Sequence, residues 1–160
     1  MTVYAGAEIV DIAKQIERMG EAFYEEALRR LKDAKIRELF TFLRDEERRH
    51  VGVFEALLEK VGDAAGEWRR DEEYLAYMRA LAQNRVFPDI GAVRAAVKQL
   101  PDEGAAIRYA LDFEKDSILL LHELRTMVRE EEQKTVDLLI AEEQSHVRAL
   151  QSLLDRVEQG

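Results

Sequence analysis

Residues 39–57 read LFTFLRDEERRHVGVFEAL, and the placement of Glu47 and His50 in that run decides the reading of the whole chain. At about 100° of rotation per helical residue, Leu39, Leu43, Phe54 and Leu57 fall on one face. Glu47 lies at the centre of that stripe, with Leu43, His50 and Phe54 at the nearest turns. A carboxylate there points inward, where it is costly to bury without a partner. The arrangement recurs at residues 139–150, LIAEEQSHVRAL, which set Glu143 and His146 among Leu139, Val147 and Leu150.

Outward from these two runs, apolar residues recur at helical spacing in four long segments. The first spans about 7–32, with Ile9, Ala13, Ile16, Gly20, Phe23, Ala27 and Leu31, and Asp33 can cap the next. The second covers 34–61 and ends at Gly62. The third covers about 103–128, after Pro101 and a capping Asp102, and the fourth 131–158. Tight joins force the first and last pairs into antiparallel hairpins, whereas residues 62–101 separate the halves. A structureless link of that length would be unusual. Tyr74, Leu75, Met78, Leu81 and Ala82 predict one short helix in it, and Ile90, Val93, Val97 and Leu100 a second. The break falls at 84–89, because Phe87 precedes Pro88. The expectation is one all-α domain over 1–160, a four-helix bundle with a long crossover between its second and third helices.

Composition narrows the chemistry. The 160 residues contain no cysteine, which excludes thiolate catalysis, disulfides and cysteine-bound zinc or iron within them. With 24 Lys and Arg against 33 Asp and Glu, the net charge of −9 disfavours nucleic acid and anionic membrane surfaces as partners. No apolar run approaches the roughly 18–20 residues of a membrane span, and the first 24 residues lack a signal-peptide core, so the expected location is cytoplasmic.

The halves repeat in their chemistry as well. Glu17, Glu47 and His50 map onto Glu114, Glu143 and His146 at nearly equal spacings. Glu114 sits between Ala110, Leu111, Ile118 and Leu121, and Glu17 lies toward one edge of its stripe, beside Ala13, Gly20, Tyr24 and Leu28. Four carboxylates facing one core would repel strongly, and the inward faces offer no Lys or Arg at that level. Two divalent metals resolve the conflict. One Glu from each of two helices plus Glu-x-x-His from each of the others is the ligand set of di-iron and di-manganese bundles. Oxygen-rich ligation with one imidazole per metal suits iron or manganese, or a mixed pair, better than copper or structural zinc. Tyr24, seven residues after Glu17, is placed either to hydrogen-bond a ligating carboxylate or donate an electron when oxidation overshoots, or to fill the core with its hydroxyl satisfied.

With these six residues located, the sequence resembles the rubrerythrin-related branch of the ferritin-like family. The run Glu17-Arg-Met-Gly-Glu-Ala-Phe23-Tyr24, then Glu46-Glu47-Arg-Arg-His50 and Glu142-Glu143-Gln-Ser-His146, carries the likeness over nearly the whole chain. The resemblance implies mainly terminal ligation by Glu17 and Glu114, bridging by Glu47 and Glu143, and terminal nitrogens from His50 and His146. It also implies two iron ions, oxidation of Fe(II), reduction of dioxygen or hydrogen peroxide, and a homo-oligomer, with a dimer favoured. Rubrerythrins proper carry another glutamate one turn beyond the position of Glu114, where this chain has Ser117, so their carboxylate-for-histidine exchange does not carry over. Their rubredoxin domain has no counterpart here, and sustained turnover would need an external electron donor.

The leading expectation is thus a di-iron oxidase or peroxidase, acting through Glu17, Glu47, His50, Glu114, Glu143 and His146. A ferroxidase feeding a storage compartment and a metal-stapled bundle without turnover are the alternatives. His122, with Leu119 three residues before it, is expected to lie outside the site. Trp68, Tyr74 and Tyr77 are expected to pack the crossover or a dimer surface. Glu21, Glu46, Glu72, Glu73, Glu142 and Glu130 to Glu132 are expected to solvate the surface.

Overall fold

Asp33, Asp89 and Asp102 each begin a helix for the same reason, which is that their carboxylates accept hydrogen bonds from otherwise orphaned amides of the first turn. Asp33 Oδ1 accepts from the amides of Lys35 and Ile36 at 2.9 and 3.0 Å. Asp89 and Asp102 accept from those of Ala92 and Ala105 at 2.8 and 2.7 Å. In the computed structural model, which describes residues 5–63, 73, 76–77, 80 and 89–160 and side chains within 10–60, 73, 76–77, 80 and 89–160, these caps open three of five helices. The helices are α1 (Ala5–Leu28), α2 (Ala34–Asp63), α3 (Ile90–Lys98), α4 (Glu103–Met127) and α5 (Glu130–Gln159).

Four helices match the expected bundle segments to within a few residues. The first stops at Leu28 rather than near Lys32, because Arg37 donates to the carbonyls of Leu28 and Leu31 and satisfies the freed end. The second continues through Gly62 to Asp63. Of the two crossover helices, α3 is confirmed, with Val93 and Val97 buried and the helix packed against α1. The other falls largely outside the described residues, as do Trp68, Glu72, Tyr74, Phe87 and Pro88. Residues 73, 76, 77 and 80 are helical and exposed, the spacing of one outward face, with Tyr77 on it.

The crossover returns the chain so that α4 runs antiparallel to α1, and α5 antiparallel to α2. Residues pair in opposite order along the first seam: Ser117 with Glu17, Tyr24 with Glu114, and Glu103 with Lys32 near the far end. Along the second seam the pairs are Asp33 with Arg156, Arg49 with Glu142, and Lys60 with Glu132. On one side of the carboxylate layer Phe23 stacks on Tyr109 at 4.9 Å between ring centres, and Tyr24 meets Phe40 edge-on at 5.1 Å. Leu43, Ile107, Leu121, Leu124 and Leu150 are also fully buried in the core on either side of the layer. Each such side chain contributes about 1.5–3 kcal/mol when removed from water, so this apolar shell holds the carboxylates in the interior. Among the described residues, no helix is long and apolar enough to cross a membrane.

Candidate metal centre

Each bundle helix sends acidic or imidazole groups to one level of the core. Glu17 projects from α1, Glu47 and His50 from α2, Glu114 from α4, and Glu143 and His146 from α5. All six are buried: Glu17 and Glu47 are 2% exposed, His146 is 3%, and the other three are fully enclosed. The structure thus brings together all six residues singled out in the sequence, and it leaves His122 exposed outside the cluster.

Two groups of potential donors meet at Glu143. His50 Nδ1 is 3.3 Å from Glu17 Oε2 and 2.9 Å from Glu143 Oε1. His146 Nδ1 is 3.4 Å from Glu114 Oε2 and 3.2 Å from Glu143 Oε2. Within each of these triads the donor atoms lie no more than 4.8 Å from one another, so each could hold a metal ion. Glu47 completes the layer. Its Oε2 is buried without a hydrogen-bond partner, and it lies within the fields of the Glu17, Glu114 and Glu143 carboxylates. Gly20 gives it room, because a Cβ there would stand 2.9 Å from Glu47 Cδ and 2.8 Å from the Phe113 ring.

The electrostatics show how strongly this layer attracts positive charge. Burial, followed by the charges of Glu17 and Glu114, pushes Glu47 well above the usual carboxylate range. Burial and the Glu114 charge push Glu143 up to about 8. Burial would raise Glu114 too, but hydrogen bonds with Glu143 and His146 outweigh it and hold Glu114 down to about 2. Burial also opposes charge on the imidazoles, yet the adjoining carboxylates prevail. Glu143 and Glu17 lift His50 to about 11, and Glu114 and Glu143 lift His146 to about 10. Protons are thus retained as counter-charge, and divalent cations binding here would displace them.

The carboxylates are further oriented by groups that do not belong to the six. Tyr24 donates its hydroxyl to Glu114 Oε1, and Ser117 donates to Glu17 Oε1 at 3.2 Å. Burial and the Glu114 charge raise the Tyr24 phenol well above its ordinary 10, which keeps it a proton donor. The structure gives Tyr24 both a buried ring and a hydrogen bond to a carboxylate of the cluster.

Four acidic residues expected on the surface are not simply solvating it. Glu142 Oε2 lies 3.1 Å from the outer nitrogen of His50, and Glu46 Oε2 lies 3.9 Å from that of His146. Arg49 joins the two, donating to Glu142 at 2.6 Å and to Glu46 at 2.9 Å, and both contacts raise its already high pKa. The doubled glutamates that precede both histidines, Glu46-Glu47 and Glu142-Glu143, were the sequence signal for this outer layer. Glu132 is buried against Lys60, because α5 turns that residue toward α2, while Glu130 and Glu131 are exposed as expected. Glu21 is half-buried and accepts from Arg48 at 2.7 Å.

Comparison with known families gives the architecture its place, since a family model described as Rubrerythrin matches residues 8–154. The chain belongs to the rubrerythrin family. That membership covers all six clustered residues and points to a di-iron carboxylate protein, in agreement with the Glu and His groups described above. The rubrerythrin fold is a ferritin-like helical bundle, the class expected from the sequence. A search of curated proteins and a search of solved structures each found no match.

Proposed function

We propose that this rubrerythrin-family chain is a di-iron oxidoreductase that oxidises Fe(II) and reduces dioxygen or hydrogen peroxide. The observation that carries this reading is the position of Glu143, which stands between two Glu and His groups with one carboxylate oxygen toward each. Glu17, His50 and Glu143 would hold one iron, and Glu114, His146 and Glu143 the other. Glu47, facing both groups from α2, would be the second shared carboxylate. Hard oxygen donors with one nitrogen per metal fit iron or manganese.

When bound, two ferrous ions supply one electron each, enough to convert one hydrogen peroxide and two protons into two waters. The chain's own groups prepare the site for that exchange. Buried Leu43, Phe54, Leu121 and Leu150 keep bulk water from the carboxylate layer. Tyr24 and Ser117 each hold one oxygen of a terminal carboxylate, leaving Glu114 Oε2 facing His146 and Glu17 Oε2 facing His50. Gly20 leaves Glu47 the space in which to adjust. The hydrogen bond from Ser117 to Glu17 favours a fixed rather than an exchanging ligand set.

Anaerobic addition of Fe(II) should load two ions per chain, and subsequent peroxide should produce near-ultraviolet charge-transfer absorption with consumption of about one oxidant per two irons. Failure to take up iron, or uptake without oxidation, overturns the reading. Equal thermal stabilisation by zinc and iron, with no reaction toward oxidant, would instead assign the metals a purely structural role.

A further inference from the structure

Outside the donor cluster, the seam between α2 and α5 carries a second layer of polar groups that the ligand set does not use. Glu46 and Glu142 lie there at corresponding positions, each immediately before the inward glutamate of its own helix, and Arg49 bridges them. Together with the outer nitrogen of His50 these carboxylates could be read as a further cation site. Arg49 argues against that, because its guanidinium already sits 2.6 Å from the Glu142 oxygen that a cation would need. The group is compensated by a fixed cation and directed toward the imidazole.

We infer that Glu142, clasped by Arg49, is a positioning residue that fixes the ring and tautomer of His50 from the opposite helix, and that His146 has no equal counterpart. The inference rests on the metal-centre reading above. His50 Nδ1 faces Glu17 and Glu143, so the proton of the neutral ring must reside on Nε2 for Nδ1 to offer its lone pair to a metal. Nε2 lies 3.1 Å from Glu142 Oε2, within hydrogen-bond range. Arg49 Nη2 is also near Nε2, at 3.2 Å, but its shorter contact at 2.6 Å is to Glu142. The two Nη2 protons therefore go to Glu142 and, at 2.9 Å, to Glu46, and Nε2 is left to donate to Glu142. An outer carboxylate of this kind holds ring orientation and raises ligand basicity, and its removal typically weakens metal binding by about 10–100-fold.

The second histidine lacks this hold. Its Nε2 is 3.9 Å from Glu46 Oε2, beyond a hydrogen bond. It is flanked instead by the edge of Phe42, at 5.8 Å between ring centres, and by His50, at 5.9 Å. The two metal positions are therefore unequal before any metal binds, with the His50 position the more firmly prepared.

Co(II) is the probe that tests this, because an imidazole bound to it shows a hyperfine-shifted N–H proton resonance whose exchange with water reports the hydrogen bond. Wild-type protein should take up two Co(II) and show a slowly exchanging His50 N–H. Glu142→Ala should weaken one of the two bindings by about 10–100-fold and lose that resonance to solvent exchange. Glu142→Gln, whose amide oxygen can still accept from Nε2, should keep the resonance and most of the affinity. Glu46→Ala should leave both nearly unchanged. Glu142 is 37% exposed along its side chain, and unfolding midpoints of the metal-free variants report any loss of fold separately from loss of metal. If Glu142→Ala binds two Co(II) as tightly as wild type with the N–H still protected, the positioning role is wrong although the metal centre stands. Equal losses from Glu46→Ala would overturn the inequality of the two positions. Wild-type protein that binds no Co(II) would remove the metal-centre reading and the inference with it.

Discussion

The α1–α2 and α4–α5 hairpins carry the same three chemical residues and support them differently. Three residues after the first glutamate, the first half has Gly20 and the second has Ser117. Seven residues after it, the first has Tyr24 and the second Leu121. The consequence appears across the bundle rather than within each half. Ser117 holds Glu17 of the other hairpin, Tyr24 holds Glu114 of the other hairpin, and Gly20 clears space for Glu47 within its own. Outside the cluster Glu142 reaches His50 within hydrogen-bond range, while Glu46 falls short of His146. A duplicated pattern of Glu and His has thus become two unequal donor groups held by crossed supports.

The largest expected effect comes from the residue both halves share. Glu143→Ala should abolish binding at both positions, giving less than one Fe(II) per chain by anaerobic titration, because it removes the carboxylate common to the two triads. Retention of two tightly bound irons would break the picture of a shared ligand.

Exchanging the small residues sharpens the comparison next. Gly20→Ala improves helix propensity by about 0.5–1 kcal/mol, but its methyl would press on Glu47 and Phe113, as overpacking that costs about 1–3 kcal/mol. A net loss in denaturant unfolding and a displaced Glu47, seen as weakened metal binding, are expected. The matching change Ser117→Gly removes one hydrogen bond and should be milder in metal affinity. The reverse ranking would show that Glu47 is not confined as described.

Tyr24→Phe deletes the donor to a fully buried carboxylate. The cost of the unsatisfied Glu114 oxygen is about 1–3 kcal/mol, measured as metal-free unfolding free energy. Metal should restore part of the difference by supplying a new partner for Glu114. Equal stability of the two proteins at neutral pH would refute the role of the hydroxyl.

The smallest effect distinguishes the helix starts. Asp33 caps α2, whereas Arg129 at the start of α5 makes no side-chain cap and that helix begins with Glu130, Glu131 and Glu132. The amide of Ile36, helped by Arg156 and Lys35, lowers the Asp33 pKa. A lowered folded-state pKa means that the stabilisation is complete above the unfolded value of about 3.9 and fades as pH falls through the folded one. Asp33→Asn, which keeps a capping oxygen but not the charge, should therefore lower Tm slightly at pH 7, with the gap closing below about pH 4. A gap that persists unchanged in acid would assign the effect to something other than the ionised carboxylate.

The bundle was legible because α1, α2, α4 and α5 repeat apolar residues at helical spacing and because Asp33 and Asp102 mark starts through local hydrogen bonds. The six cluster residues were legible for a related reason: an ionisable group at the centre of an apolar stripe contradicts its surroundings, and the contradiction can be seen in one helix at a time. Glu46 and Glu142 were misread because helical rotation places them toward the edge of the stripe, where the doubling with Glu47 and Glu143 is the one local sign and does not say what lies on the facing helix. Glu132 was hidden in a run of three acids for the same reason.

Sequence alone determined the helical class, the capped helix starts and the identity of the inward Glu and His residues, because those depend on periodicity and on chemistry within a few turns. Tertiary structure alone decided that Glu143 serves both groups, that Ser117 and Tyr24 hold carboxylates of the opposite hairpin, and that Glu142 rather than Glu46 reaches an imidazole. Those outcomes turn on which side chains meet across helix seams, for Glu142 and Glu46 on 3.1 against 3.9 Å, and such distances are set by how two surfaces pack and are written on neither helix separately.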